Sequence, residues 1–237
     1  MDAASALTTG LFTILVGVMA VLTVRTILKS LGRSGPALAA AIVAAYLVIP
    51  AILASAGALD RYDQMPAPGL ALILVLAIAT AVLALSRFGA RVAASIGIAA
   101  LVGYQAFRIV VEWLLHRLYA EGVVPVQMTW SGRNFDVVSG ITALLLGVWL
   151  LRTKQRPRGL LLAWNVLGLA LLANIVAVAV LSAPVPFRGF TEGPPNLLPS
   201  TFPFIWLPTF LVQLALFGHL ALFRALLRAD QGDRIAA

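Results

Sequence analysis

Five polar residues, Gln105, Arg108, Glu112, His116 and Tyr119, recur through the stretch QAFRIVVEWLLHRLY. At ~100° per residue they fall within an arc of roughly 80°, a single polar stripe on a helix whose other faces are mostly Ala, Val, Ile, Leu, Phe and Trp. Three kinds of chemistry fit these types and spacings. Arg108 can bind or orient an anionic group, with Glu112 as proton carrier or counter-charge. Arg108 and Glu112, four residues apart on one face, can instead pair with each other and fix helix packing. Glu112 and His116 have the i, i+4 spacing that brings two ligands to one metal, with Asp136 as a third; the plainer reading of His116 is an interfacial residue hydrogen-bonded to a loop. Metal is the least expected of the three, and no cofactor is called for.

These residues must be held by helices in a membrane. The chain has 237 residues, 61% hydrophobic and only 11% charged, whereas a soluble domain has about 25% charged residues. The apolar runs are continuous rather than alternating, which argues for helices and against a transmembrane β-barrel. Seven spans are expected, at about 7–28, 37–59, 69–85, 92–119, 134–151, 159–181 and 202–227, each near or above the ~20 residues that a bilayer requires. The reading is an all-α polytopic protein, one seven-helix bundle over residues 1–237. Met1 to Gly10 carries no Lys or Arg, so no cleavable signal peptide is expected.

Charge sets the expected orientation. Arg25, Lys29, Arg33, Arg87, Arg91, Arg152, Lys154, Arg156, Arg158, Arg224, Arg228 and Arg234 lie at one set of helix ends. Asp2, Asp60, Asp63, Glu121, Asp136 and Glu192 lie at the other. By the positive-inside rule the N-terminus is outside and the C-terminus inside. The net charge of +8 is thus distributed as in cytoplasmic loops, and no soluble basic domain exists to hold nucleic acid. Cysteine is absent, which removes disulfides, thiol catalysis and Cys metal sites.

Depth then decides which polar groups can meet. At 1.5 Å per residue, Arg108 lies slightly outside the midplane, Glu112 about 10 Å out and His116 near the outer interface. Asn134 and Asp136 start the next span near the level of His116, and Asn174 lies in the outer half of the sixth. These groups, with Gln105, are the expected lining of a polar pocket open to the outside. His219 falls in the inner half, too far from His116 to share a haem, and reads as a satisfied bundle residue near Gln213. Asn165 reads as hydrogen-bond glue between helices.

The segments FRIVVEWLLHRLY, MTWSGRNFDVVSG and FPFIWLPTFLVQLALFGHL resemble a family of uncharacterised bacterial multi-pass membrane proteins. That resemblance implies a seven-helix protein of the bacterial inner membrane and brings no activity. Rhodopsins share the topology, but the only lysines, Lys29 and Lys154, lie outside the seventh span, where a retinal Schiff base requires one. The Pro-Gln motif of SWEET sugar transporters is absent too. The Glu112/His116 spacing is similar to that of membrane hydrolases that include hemolysin III-like proteins, which offer several histidines where this chain has two. Three functions stay open: a small-molecule or proton-coupled transporter or ligand-binding protein, a membrane-embedded and metal-dependent enzyme, and a receptor or assembly partner. The expected partners are membrane lipids and a small-molecule ligand.

Overall fold

The computed structural model describes residues 4–235; Asp2 lies outside the described residues. Every regular element among them is helical. Among the described residues five helices are long and apolar enough to cross a membrane: Ala6–Ser55, Pro68–Leu85, Ile98–Ala120, Arg158–Ser182 and Leu207–Leu227, with a shorter apolar helix at Val137–Thr153.

The first of these is a hairpin. Helix α1 (Ala6–Leu31) ends at Gly32, whose φ of 54° suits a residue without a Cβ. Helix α2 (Gly35–Val43) then packs back against α1. A π-helical segment (Ala44–Val48) joins α2 to α3 (Ile49–Ser55), four residues short of the end expected at residue 59. Helix α4 (Pro68–Leu85) matches expectation, opening with Pro68 at its start, where the missing N–H costs nothing.

The fourth span differs from the single long helix expected over 92–119. Helix α5 (Arg87–Ile96) is a separate amphipathic element, with Arg87 and Arg91 exposed and Gly89, Val92 and Ala93 buried. The break is Gly97, at φ 80°. Beyond it run α6 (Ile98–Gly103), a 3-10 turn (Tyr104–Ala106) and α7 (Phe107–Ala120). Periodicity cannot see this break, because apolar residues continue on both sides of the glycine. Helix α8 (Val137–Thr153) also starts later than the expected residue 134, which leaves Asn134 and Asp136 in the cap instead of inside the helix. Helix α9 (Arg158–Ser182) follows, and a π-helical segment (Leu207–Leu211) leads into α10 (Val212–Ile235).

In lipid, apolar contact alone does not drive helices together; close packing and interhelical hydrogen bonds do. Helix α8 presents Gly140 to Ile109 of α7 and Gly147 to Gly103 of α6, and a Cβ at either position would stand 2.8 Å or 2.6 Å from those neighbours. The central apolar cluster joins Phe12 and Val16 of α1, Leu114 and Leu115 of α7, Leu172 of α9, and Phe210 and Leu211 of the π-helical segment.

At the far end of α7, Glu121 ties the bundle to the start of α1. Its carboxylate accepts from the Ser5 N–H and hydroxyl, both at 2.8 Å, from the Thr8 hydroxyl at 2.5 Å, and from Arg117 at 3.3 Å. Ser5 is also the N-cap of α1. Partial burial works to raise the Glu121 pKa, but the bonds from Thr8 and Ser5 and the charge of Arg117 outweigh it and hold the group below its ordinary value. A depressed carboxylate contributes stability that is present above its unfolded pKa and lost as pH falls through the folded one. Acidification below the ordinary carboxylate range should therefore loosen the α1–α7 contact, while Glu121→Gln should show a weaker acid dependence of its thermal midpoint. Equal acid slopes for the two proteins would remove Glu121 from the account.

Candidate functional site

The polar stripe descends from an exposed rim into the bundle. Tyr119 is exposed and His116 half-buried, whereas Arg108 (2%), Glu112 (1%) and Gln105 (0%) are sealed from water. The sequence expectation paired Arg108 with Glu112. The structure pairs Arg108 with Asp136 instead: Nε donates to Oδ2 at 2.6 Å, and Nη2 donates to Oδ1. The planar fork fits a carboxylate bidentately, which makes this the stronger arrangement.

Asp136 is aimed by its neighbours. Its N–H donates to Asn134 Oδ1 at 3.0 Å, an Asx-type turn that opens α8. The Asn134 amide then donates to Glu112 Oε2 at 2.6 Å and to the Met128 carbonyl at 3.0 Å. One asparagine thus sets both carboxylates, placing Asp136 at Arg108 and holding Glu112 one helical turn further along α7. Asp136 lies beside Arg108, deeper than the His116 level expected for it.

The third arm of Arg108 reaches α10. Its Nη1 lies 3.0 Å from His219 Nε2, and His219 Nδ1 lies 2.9 Å from Asn165 Oδ1 on α9. Because guanidinium can only donate, Nε2 must accept, so the proton of the neutral ring sits on Nδ1 and is given to Asn165. Asn165 Nδ2 donates to the His219 carbonyl at 3.1 Å, which fixes the amide orientation. Trp164 packs its ring 5.5 Å from the imidazole. On the other side Gly168 leaves the room that the ring needs: a Cβ there would stand 2.8 Å from Nε2. The chain from Glu112 through Asn134, Asp136, Arg108 and His219 to Asn165 links α7, α8, α9 and α10. Taking an ion pair out of water is costly unless further hydrogen bonds satisfy it, and here they do.

Three expected lining residues are placed differently. His116 stacks on Trp130, centroids 4.4 Å apart and planes at 12°. Asn174 donates to the Arg133 carbonyl at 2.7 Å and takes no part in the cluster. Gln105 donates to the Ala215 carbonyl at 3.0 Å. His219 joins Arg108 and Asn165, while Gln213 bonds elsewhere, to the Pro208 carbonyl. Among the described residues no three His, Asp or Glu side chains converge as a metal-ligand set, because Asp136 turns to Arg108 and His116 to Trp130. Sequence reasoning left His219 and Asn165 out of the site. The signal was present, since a His and an Asn inside apolar spans mark polar interior positions, but nothing in their spacing says that they share Arg108.

Beside the cluster lies a cavity of about 250 Å³. Arg108, Glu112 and Asp136 stand in its wall, and the remaining lining is almost wholly apolar, with Leu172, Ile175 and Leu211 prominent. Its rim includes Leu74 and Val176, which are exposed on the apolar flank of the bundle. The polar pocket expected from sequence is thus an apolar cleft with charge on one wall. Arg108 and Asp136 neutralise one another there. Among the described residues no cation lies within ion-pair distance of Glu112.

No curated protein and no solved structure matches the chain. The family described as "Domain of unknown function (DUF8737)" matches residues 65–227, a stretch that contains α4 to α9 and every residue of the cluster, and the chain belongs to that family.

Proposed function

We propose that this is a seven-span carrier or binding protein of the bacterial inner membrane, N-terminus outside, that takes up a small lipophilic cation in the Glu112 cleft in exchange for a proton. The observation that carries the reading is a buried carboxyl in an apolar cleft with no cation within ion-pair distance among the described residues. Such a group can hold a proton or meet the positive charge of a ligand, and an ionisable residue at membrane depth is a functional candidate by default. The apolar walls suit the body of the ligand, and the rim at Leu74 and Val176 suits entry from lipid. The orientation is supported by the distribution of Lys and Arg, and the bacterial setting by the resemblance of the three quoted segments. The π-helical segments at Ala44–Val48 and Leu207–Leu211 support movement, since such segments often accompany functional sites.

Binding of tetraphenylphosphonium to the purified protein in weakly buffered detergent tests this. Uptake of the cation with release of a proton is the expected result. Glu112→Gln keeps the bond from Asn134 and should fold, yet lose cation binding by about tenfold or more, a loss of ~1.4 kcal/mol or greater. Equal binding by the two proteins would sink the proposal.

A further inference from the structure

A second cavity, of about 420 Å³, lies on the other side of Phe107 and is bordered by α1, α2, α4, α5, α6 and α10. Its wall is made largely of rings and aliphatic side chains, including Phe88, Phe107, Phe210 and Phe217. Leu22, 49% exposed, stands at its margin and faces the apolar surface.

The hydroxyls in the wall have their protons committed. Thr23 donates to the Met19 carbonyl and Thr26 to the Leu22 carbonyl, both at 2.8 Å. Tyr46 donates to the Leu76 carbonyl at 3.3 Å, which leaves its oxygen to accept from Thr80 at 3.0 Å. Gln213 is different. Its Nε2 donates to the Pro208 carbonyl at 2.9 Å. A carbonyl can only accept, so the nitrogen must face it, and this fixes the amide with Oε1 directed the other way. Gln213 is 3% exposed, and Oε1 has no hydrogen-bond partner among the described residues. A buried acceptor left empty bears its full desolvation cost, and a ligand bearing a donor would remove that cost.

We propose that this second cavity binds an uncharged amphiphile with a hydroxyl group, a long-chain or polycyclic alcohol, whose O–H donates to Gln213 Oε1 while its hydrocarbon lies against the phenylalanine rings. The recognition is by polarity and shape. Gln213 stands in the cavity wall and its unpartnered Oε1 is an uncharged acceptor, so the site selects a neutral donor. Its margin at Leu22 opens on the surface where such molecules dissolve. The site does not depend on Glu112, and its failure leaves the cation reading untouched.

The test uses the full chain in phosphatidylcholine nanodiscs with a diazirine-bearing hexadecanol as photoprobe. Labelling is expected on peptides carrying residues 80–88 and 213–217. Unlabelled hexadecanol should compete about tenfold better than hexadecyl methyl ether, which has the same shape and no donor. Gln213→Leu should erase that preference while still admitting both compounds. The comparison of alcohol with ether on the unaltered protein stands whether or not the variant folds. Equal competition by alcohol and ether, labelling confined to peptides of the Leu172–Val176 cleft, or no labelling of the 80–88 and 213–217 peptides would each overturn the proposal.

Discussion

Replacing Arg108 by alanine is expected to cost about 3–5 kcal/mol of stability, because it leaves a buried carboxylate without its partner. The loss has two parts. Asp136 loses both bonds of the guanidinium fork, and His219 Nε2 loses its donor, the hydrogen bond that ties α7 to α10. Asp136→Ala should cost a similar amount by stranding the positive charge. Arg108→Met with Asp136→Leu removes both charges at similar volume and should recover much of the loss, since an apolar pair is often as stable as a buried ion pair. Arg108→Lys should fall with the alanine variant, because one ammonium cannot reproduce a planar fork that reaches Asp136 and His219 together. Thermal midpoints in detergent measure all four. With Arg108→Met and Asp136→Leu measured singly as well, losses that simply add in the double variant would mean that Arg108 and Asp136 are not coupled.

The same cycle separates the structural charge from the functional one. Were Arg108 paired with Glu112, as their spacing on α7 suggests, removing either would disturb both. With Asp136 as the partner, Glu112 is free to be altered, and Glu112→Gln should change ligand binding while moving the thermal midpoint little. A protein in which Glu112→Gln unfolds as readily as Arg108→Ala would have the site and the scaffold in one group.

How far the sequence could be read follows from the kind of information each feature needs. The low charge content and the continuous apolar runs announce membrane helices, and α4 and α9 begin and end within a residue or so of where apolarity stops. The burial of Arg108 and Glu112 was legible too, because a polar stripe on an otherwise apolar helix has to face protein. Partner choice was not. Arg108 sees Glu112 along its own helix, which a spacing rule captures, but it sees Asp136 only because Asn134 turns the chain before α8. Gly97 was hidden by its apolar surroundings. His116 was drawn into the site because it shares the stripe, yet at the rim the stacked ring of Trp130 competes for it. Periodicity reports which face a residue occupies and is silent about what another helix brings to that face.

That silence is most complete at Gly168, and a second large effect is expected there. Gly168→Ala would ordinarily favour an exposed helix interior, by roughly 0.5–1 kcal/mol. Here the new methyl would enter the imidazole of His219. The ring cannot simply slide, since Arg108 holds one nitrogen and Asn165 the other, and Trp164 packs beside it. Overpacking of this kind costs about 1–3 kcal/mol, so Gly168→Ala should destabilise in spite of its better helix propensity. His219→Ala alone should also destabilise, by stranding Arg108 Nη1 and Asn165 Oδ1 and opening a void. In the double variant the methyl enters space that the ring has left, and the propensity gain returns. The combined loss should therefore fall short of the sum of the single losses by about 1 kcal/mol or more, well beyond the ~0.3–0.5 kcal/mol within which independent sites add. Thermal unfolding of the four proteins in one detergent gives the number. A sum that closes within that margin would mean that glycine and histidine do not share the space, and that α9 and α10 meet elsewhere than at this ring.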